Sequence, residues 1–325
     1  MRDGNQEVCG VTESKSGSGW MKPSTIAAVV LALAVALPLV LAWFSVDKAS
    51  RDRLGTETAL KTVTNADVQA AFDRIGFNVR NIRGDADDVP RVFLTSLPRE
   101  LPHITNAGQR KALFLTTMLP LVLEVNEGIL EERARLLSVH DKVEAGKKLS
   151  SSDRKWLKAM QKKYRVEERD FDTLLRRINI IPPSLALAQA AIESGWGTSR
   201  FAQNGNALFG QWTWGAEGMI PKDRREGATH RVKAFDRLIE SVEGYARNLN
   251  THRAYRSLRE KRQALTARGE QITGPALTPT LIQYSERRED YINDLNAIIR
   301  GNRLTRFDSG GMAEAALEGP NQPPS

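Results

Sequence analysis

Pro182-Pro183-Ser184-Leu185-Ala186-Leu187-Ala188-Gln189-Ala190-Ala191-Ile192-Glu193-Ser194-Gly195-Trp196-Gly197 is the stretch on which the reading of this chain turns. Proline suits the first turn of a helix and glycine ends one, so the sequence predicts a short helix over 185–194 that stops at Gly195. Ala186, Ala188, Ala190 and Ala191 give it small faces that neighbouring elements can approach closely. Glu193 sits in the last turn, where a negative charge meets the unfavourable end of the helix dipole and gains nothing. The residues that follow are strongly aromatic, with Trp196, Phe209, Trp212 and Trp214. A carboxyl group held against such surface keeps its proton towards neutral pH and can act as a general acid. The plainer alternative is a surface glutamate at a helix end.

Outward from this stretch, helical periodicity dominates. Leu113, Phe114, Met118, Leu121, Val122, Val125, Ile129, Leu136 and Leu137 mark one long apolar face, with Pro120 as a point where it can kink. Ser151 or Ser152 is expected to cap a helix carrying Trp156, Leu157 and Met160, and a further helix carries Phe171, Leu174, Leu175 and Ile178. After Glu193 come a helical turn near 198–202, a loop at Asn204-Gly205-Asn206, and alternation over 231–235 that suggests a small hairpin. Helices resume with Leu238, Val242, Tyr245 and Leu249, then over 253–268 and 289–300. The expected fold class is mainly α (α+β), a helical lobe with a small β-hairpin lobe.

Composition bounds the function. The 325 residues carry 47 lysines and arginines against 39 acidic residues, a formal charge of +8 that invites polyanionic partners. Arg253, Arg256, Arg259, Lys261, Arg262 and Arg268 form a basic stripe, read as a solvated face or as attraction to an anionic polymer or lipid headgroups. No recognised DNA or RNA motif accompanies it, so no nucleic-acid partner is expected. A single cysteine, Cys9, excludes an intrachain disulfide and any CxxC motif. His103, His140, His230 and His252 are too dispersed for a recognisable metal site, and neither metal nor cofactor is expected.

No charged residue occurs between Lys22 and Asp47, and 25–44 is almost wholly apolar, about the 20 residues that cross a bilayer core of roughly 30 Å. Trp20 and Trp43 fall near the two interfaces. An uncleaved anchor is expected, because the apolar region of a signal peptide is only about 7 to 15 residues. Basic residues flank the run on both sides and do not fix its orientation. The expected plan is a cytoplasmic segment over 1–22, a transmembrane anchor over 23–46 and a stalk over 47–105 punctuated by Gly84, Pro90, Pro98 and Pro102. A catalytic domain over 106–303 and a disordered tail over 304–325 complete it.

The run from Ala188 to Gly197, followed by Asn204, Asn206 and Leu208-Phe209-Gly210, resembles the bacterial N-acetylglucosaminidases of glycoside hydrolase family 73, and within them the membrane-associated Bax group. The resemblance covers roughly residues 90–300. It implies a lysozyme-like fold with the glycan in a cleft between helical and β lobes, and it implies that Glu193 is the acid that protonates the glycosidic oxygen. Glycoside hydrolysis usually needs a second carboxylate. The family's slot for it, in the β lobe before a strand and a Phe, is best filled by Glu226, with Glu217 as runner-up. The substrate's own acetamido group is the alternative. Tyr284, in Tyr284-Ser285-Glu286-Arg287, resembles the family's late tyrosine, although Glu286 and Arg287 replace its usual neighbours. Asn206 and Gly210 belong to the same signature, and Trp196, Phe209, Trp212 and Trp214 could stack on sugar faces.

The leading expectation is a hydrolase of the inner membrane, facing the periplasm or wall, that cuts the β-1,4 bond after N-acetylglucosamine in peptidoglycan strands; the sequence names no protein partner. A lytic transglycosylase or muramidase on the same fold is the second, although these usually carry Gly-Leu-Met-Gln where this chain has Leu208-Phe209-Gly210-Gln211. A wall-binding scaffold without catalysis is the third.

Overall fold

Asn106 accepts a hydrogen bond from the Gln109 amide at 3.0 Å and so starts the longest helix, α1 (Ala107–Glu144). Ser150 does the same for α2 (Ser151–Tyr164), one residue earlier than the sequence suggests, and Asp170 for α3 (Phe171–Arg177). The computed structural model describes residues 89–309 and 312, apart from 169, 214, 216, 217, 222–228, 283 and 285. The expected anchor over 23–46, the segment before it, the helix expected over 65–75, Trp214, Glu217 and Glu226 all lie outside the described residues.

Next in the chain come α4 (Pro183–Ser194), α5 (Arg200–Gly205), a two-stranded antiparallel pair β1 (Trp212–Thr213) and β2 (Arg231–Val232), α6 (Leu238–Thr251), α7 (Arg256–Ala267), α8 (Gly274–Leu277) and α9 (Glu289–Gly301). Trp212 pairs with Val232 and Thr213 with Arg231. The domain is thus mainly helical with one small hairpin, as the sequence predicts. α1 runs through Pro120 without a break, and its apolar face is the floor of the core. It is long and apolar enough to cross a membrane, but 72% of its most apolar window is buried inside the protein, which marks it as a core helix.

α4 lies at the centre. α1, α8, α9 and the turn Leu304–Phe307 pack around it, and ten of its twelve residues are buried. A helix enclosed on every side cannot be amphipathic, and the alanines let four neighbours approach at once. Its approach segment is pinned by polar side chains. Asn126 pairs with the Ile181 peptide, donating to the carbonyl at 2.8 Å and accepting from the amide at 3.1 Å. Arg262 is fully buried and donates to the carbonyls of Arg176, Asn179 and Ile180 and to Asn250 Oδ1. Burial pulls its guanidinium down to about 9. Arg259 likewise turns inward onto the carbonyls of Leu249 and His252. The basic stripe of α7 is therefore divided: Arg259 and Arg262 are internal struts, while Arg256 and Arg268 pair at the surface with Glu260 and Glu270.

Both flanks of the expected catalytic domain belong to its core. Val89, Phe93, Leu94, Leu97 and Leu101, within the expected stalk, are buried, and Arg91 ties this segment to Glu124 and Glu127 of α1 at 2.9 and 2.7 Å. At the other end Leu304 and Phe307, within the expected tail, are buried as well. The chain keeps extended or 3-10 geometry there, so apolar residues are buried without a helical or strand period to announce them. Pro182 gives α4 no side-chain cap. Asp308 supplies it from 124 residues away, accepting from the Ser184 amide at 2.8 Å and the Ser184 hydroxyl at 2.6 Å. The same carboxylate accepts from the Gly274 amide at the start of α8 at 3.1 Å. Removing it leaves buried donors without partners, so Asp308→Ala should lower the unfolding free energy by roughly 3 kcal/mol and Asp308→Asn by less, as measured by urea titration.

Candidate active site

Glu193 is held where α4 ends, and the turn that ends it is built by the four residues that follow. Gly195, Trp196 and Gly197 all adopt positive φ, at 59°, 58° and 78°. The Trp196 amide reaches back to the Ala191 carbonyl at 2.7 Å, closing the helix. Ser194 Oγ donates to the Ala190 carbonyl and accepts from the Gly197 amide at 2.8 Å, stapling the turn. A side chain at Gly197 would strike Leu97, Leu101 and Phe114 within 3.0 Å. Trp196 itself sits edge-on to Phe114 at 5.9 Å, with the Lys111 ammonium 4.9 Å from its ring.

Glu193 is half-buried, and four of the chain's five tyrosines surround it. Tyr291, on α9, donates to Glu193 Oε1 at 2.9 Å. Gln189, one turn back on α4 and fully buried, donates through Nε2 to the Tyr291 oxygen at 2.9 Å, and the Tyr245 hydroxyl of α6 donates to Gln189 Oε1 at 2.6 Å. Tyr284 stacks on Tyr291 at 5.4 Å with the rings 6° from parallel, and Tyr255 lies against Tyr284 at 5.9 Å. Burial raises the Glu193 carboxyl above the ordinary carboxylate range, and the Tyr291 hydrogen bond opposes this only in part. Burial and the Glu193 charge hold the Tyr284 and Tyr291 hydroxyls protonated. A desolvated carboxyl oriented by a neutral hydroxyl can hold a proton and donate it.

A family model for mannosyl-glycoprotein endo-beta-N-acetylglucosaminidase matches residues 168–304. Protein bax of Escherichia coli (strain K12) is 36% identical over 218 residues, which cover 64% of this chain and 75% of that protein. The chain belongs to the Bax-like glucosaminidases. It is thereby a member of a glycoside hydrolase family. Among solved structures it is similar to the catalytic domain of the autolysin Auto from Listeria monocytogenes, at 19% identity over 52% of this chain and 96% of that one, with a TM-score of 0.29.

In this Bax-like glucosaminidase the residues singled out by sequence fall into separate groups. Glu193 and Tyr284 come together, with Tyr291 between them. Gly210, at φ 59°, lies beside the other carboxylate oxygen: a Cβ added there would be 3.8 Å from Glu193 Oε2. Phe209 is buried and stacked on Tyr245 at 4.0 Å. Asn206 directs its amide to the carbonyls of Phe235 and Asp236, tying the loop before β1 to the one before α6. Trp212 is 61% exposed on β1 and stacks on His230 at 4.4 Å. Glu226, Glu217 and Trp214 lie outside the described residues.

Gln189, Tyr245, Tyr255 and Tyr291 are not marked as site residues by any motif or spacing in the sequence. The signal that could have found them is chemical: a tyrosine or glutamine on a buried helix face must place its polar end against something. The raised carboxyl also has a consequence for stability. Because folding favours the protonated form of Glu193, its ionisation carries a stability cost that is absent at acid pH. That cost grows as pH rises from the ordinary value of 4.5 towards the folded one. Glu193→Gln should therefore gain in Tm relative to the parent protein across that window, with a constant difference above it, in thermal melts taken as a pH series.

Proposed function

We propose that this chain is a membrane-tethered peptidoglycan hydrolase that cleaves the β-1,4 bond after N-acetylglucosamine, with Glu193 protonating the leaving oxygen. The observation that carries this reading is the state of Glu193: half-buried, ringed by tyrosines, raised by desolvation and positioned by a hydroxyl rather than a cation among the described residues. A general acid needs its proton at the working pH, and this environment supplies it.

The opposite face of the sugar needs support as positive charge develops at the anomeric carbon. Glu226 is the candidate, falling in sequence between β1 and β2; the substrate acetamide is the alternative. Tyr284 would orient the acetamide or a water through its hydroxyl. Trp212, exposed and braced by His230, is suited to stack on a sugar ring, and Gly210 and Trp214 are kept as further substrate-binding candidates from the sequence. Phe209, Asn206 and Trp196 would act by holding the floor of the site in shape. The apolar run over 23–46 would keep the enzyme on the outer face of the inner membrane, where its polymer lies.

The full-length protein, purified in mild detergent, should release soluble fragments from sacculi with N-acetylglucosamine at their reducing ends. Glu193→Gln should reduce the rate at least about 100-fold, the usual scale for loss of a general acid. Anhydro-muramyl ends would instead identify a transglycosylase, and equal inactivity of both proteins would identify a wall-binding scaffold.

A further inference from the structure

We propose that Tyr245, Gln189 and Tyr291 form a one-way hydrogen-bond chain that fixes which oxygen of Glu193 carries the acid proton, reserving Oε1 as an acceptor and placing the proton on Oε2. The inference rests on the reading of Glu193 as the acid, and the three residues act as positioning residues that need not touch substrate.

The direction follows from what each atom can do. The Tyr245 hydroxyl lies 2.6 Å from Gln189 Oε1, a usual O–H···O distance and short for an amide donor. Gln189 Nε2 lies 2.9 Å from the Tyr291 oxygen, the usual N–H···O distance. A carbonyl oxygen cannot donate and an amide nitrogen cannot accept, so the amide is oriented and the Tyr291 oxygen is already accepting. Its own proton is then directed to Glu193 Oε1, 2.9 Å away. When Glu193 is protonated, Oε1 remains occupied by that incoming proton, and the acid proton must sit on Oε2. Oε2 is the oxygen beside Gly210, on the side of the hairpin lobe. A carboxyl free to turn would divide its proton between two oxygens, only one of which can address the scissile bond.

Among the described residues nothing else within reach competes for this role. The titratable groups that act on or feel Glu193 among the described residues are Tyr245 of α6, Tyr255 of the turn Arg253–Tyr255, Tyr284 before α9 and Tyr291 of α9. Gln189 is fully buried, and its side chain makes no hydrogen bond other than these two among the described residues, so its amide has no other evident work.

The test is the titration of Glu193 in full-length protein labelled with 13Cδ-glutamate, its resonance identified by loss in Glu193→Gln. Because Tyr291 donates to the carboxyl and stabilises its charged form, Tyr291→Phe should raise the Glu193 pKa by about one unit. Tyr245→Phe should raise it by less, since the amide then loses only its orienting partner. Both changes keep the stacked rings in place, and unchanged thermal melts at acid pH would check that. In sacculus hydrolysis the alkaline limb of the kcat profile should move up in parallel while KM stays within about twofold. A fall in pKa in Tyr291→Phe would mean that the chain runs the other way, and no change would mean that it does not act on Glu193; either overturns the proposal. If the titrations shift as expected but the parent protein hydrolyses nothing, the chain stands and the assignment of function fails.

Discussion

The enclosure of α4 on all sides is the constraint from which the rest of the domain follows. A helix with no solvent face can carry neither its own charged caps nor bulky side chains on every side. Its alanines are therefore where α1, α8 and α9 come nearest, and both of its ends are completed by residues that lie elsewhere. Asp308 closes the N-terminal end from the far end of the domain. Asn126, Asn250 and Arg262 occupy the carbonyls and amides of the segment leading in. At the other end the left-handed turn after Ser194 satisfies the last carbonyls. Glu193 is thus displayed from a helix held on every side by its neighbours, as the proposed general acid would require.

The same enclosure explains why polar chemistry penetrates so far inward. Once Gln189 is buried on the central helix, its amide must be matched, and the tyrosines of α6 and α9 match it. Those tyrosines also bring apolar rings to Glu193, so one set of residues both desolvates the carboxyl and orients it. Arg262 solves a similar problem in the opposite sense: a buried cation surrounded by carbonyl oxygens, whose value lies in the backbone it holds together.

The sequence made some of this legible and hid the rest for identifiable reasons. Pro183 and Gly195 delimit α4 because proline and glycine act through backbone geometry, which is local. Glu193 is legible because its aromatic neighbours follow it closely. Tyr291 is not, since at its position in α9 it keeps the same spacing as Leu295 and Ile299 and reads as one more core residue; periodicity registers the ring and not the hydroxyl. Leu97 and Leu101 were hidden by the prolines around them, which signal irregular backbone correctly but say nothing about burial. Arg259 and Arg262 read as a solvated stripe because a long basic side chain and its destination are separate facts; only the packing of α7 against the end of α6, for Arg259, and against the 176–180 segment, for Arg262, reveals the second.

The left-handed turn after Glu193 separates two things that a signature search joins. Of the five residues Glu193-Ser194-Gly195-Trp196-Gly197, one is the proposed acid and four serve to reverse the chain and seat it against Leu97, Leu101 and Phe114. A descendant that exchanged Glu193 for an inert residue would still need the other four in order to fold. On the proposed reading, a sequence bearing the serine, glycines and tryptophan but no glutamate would declare its architecture truthfully while having given up the reaction.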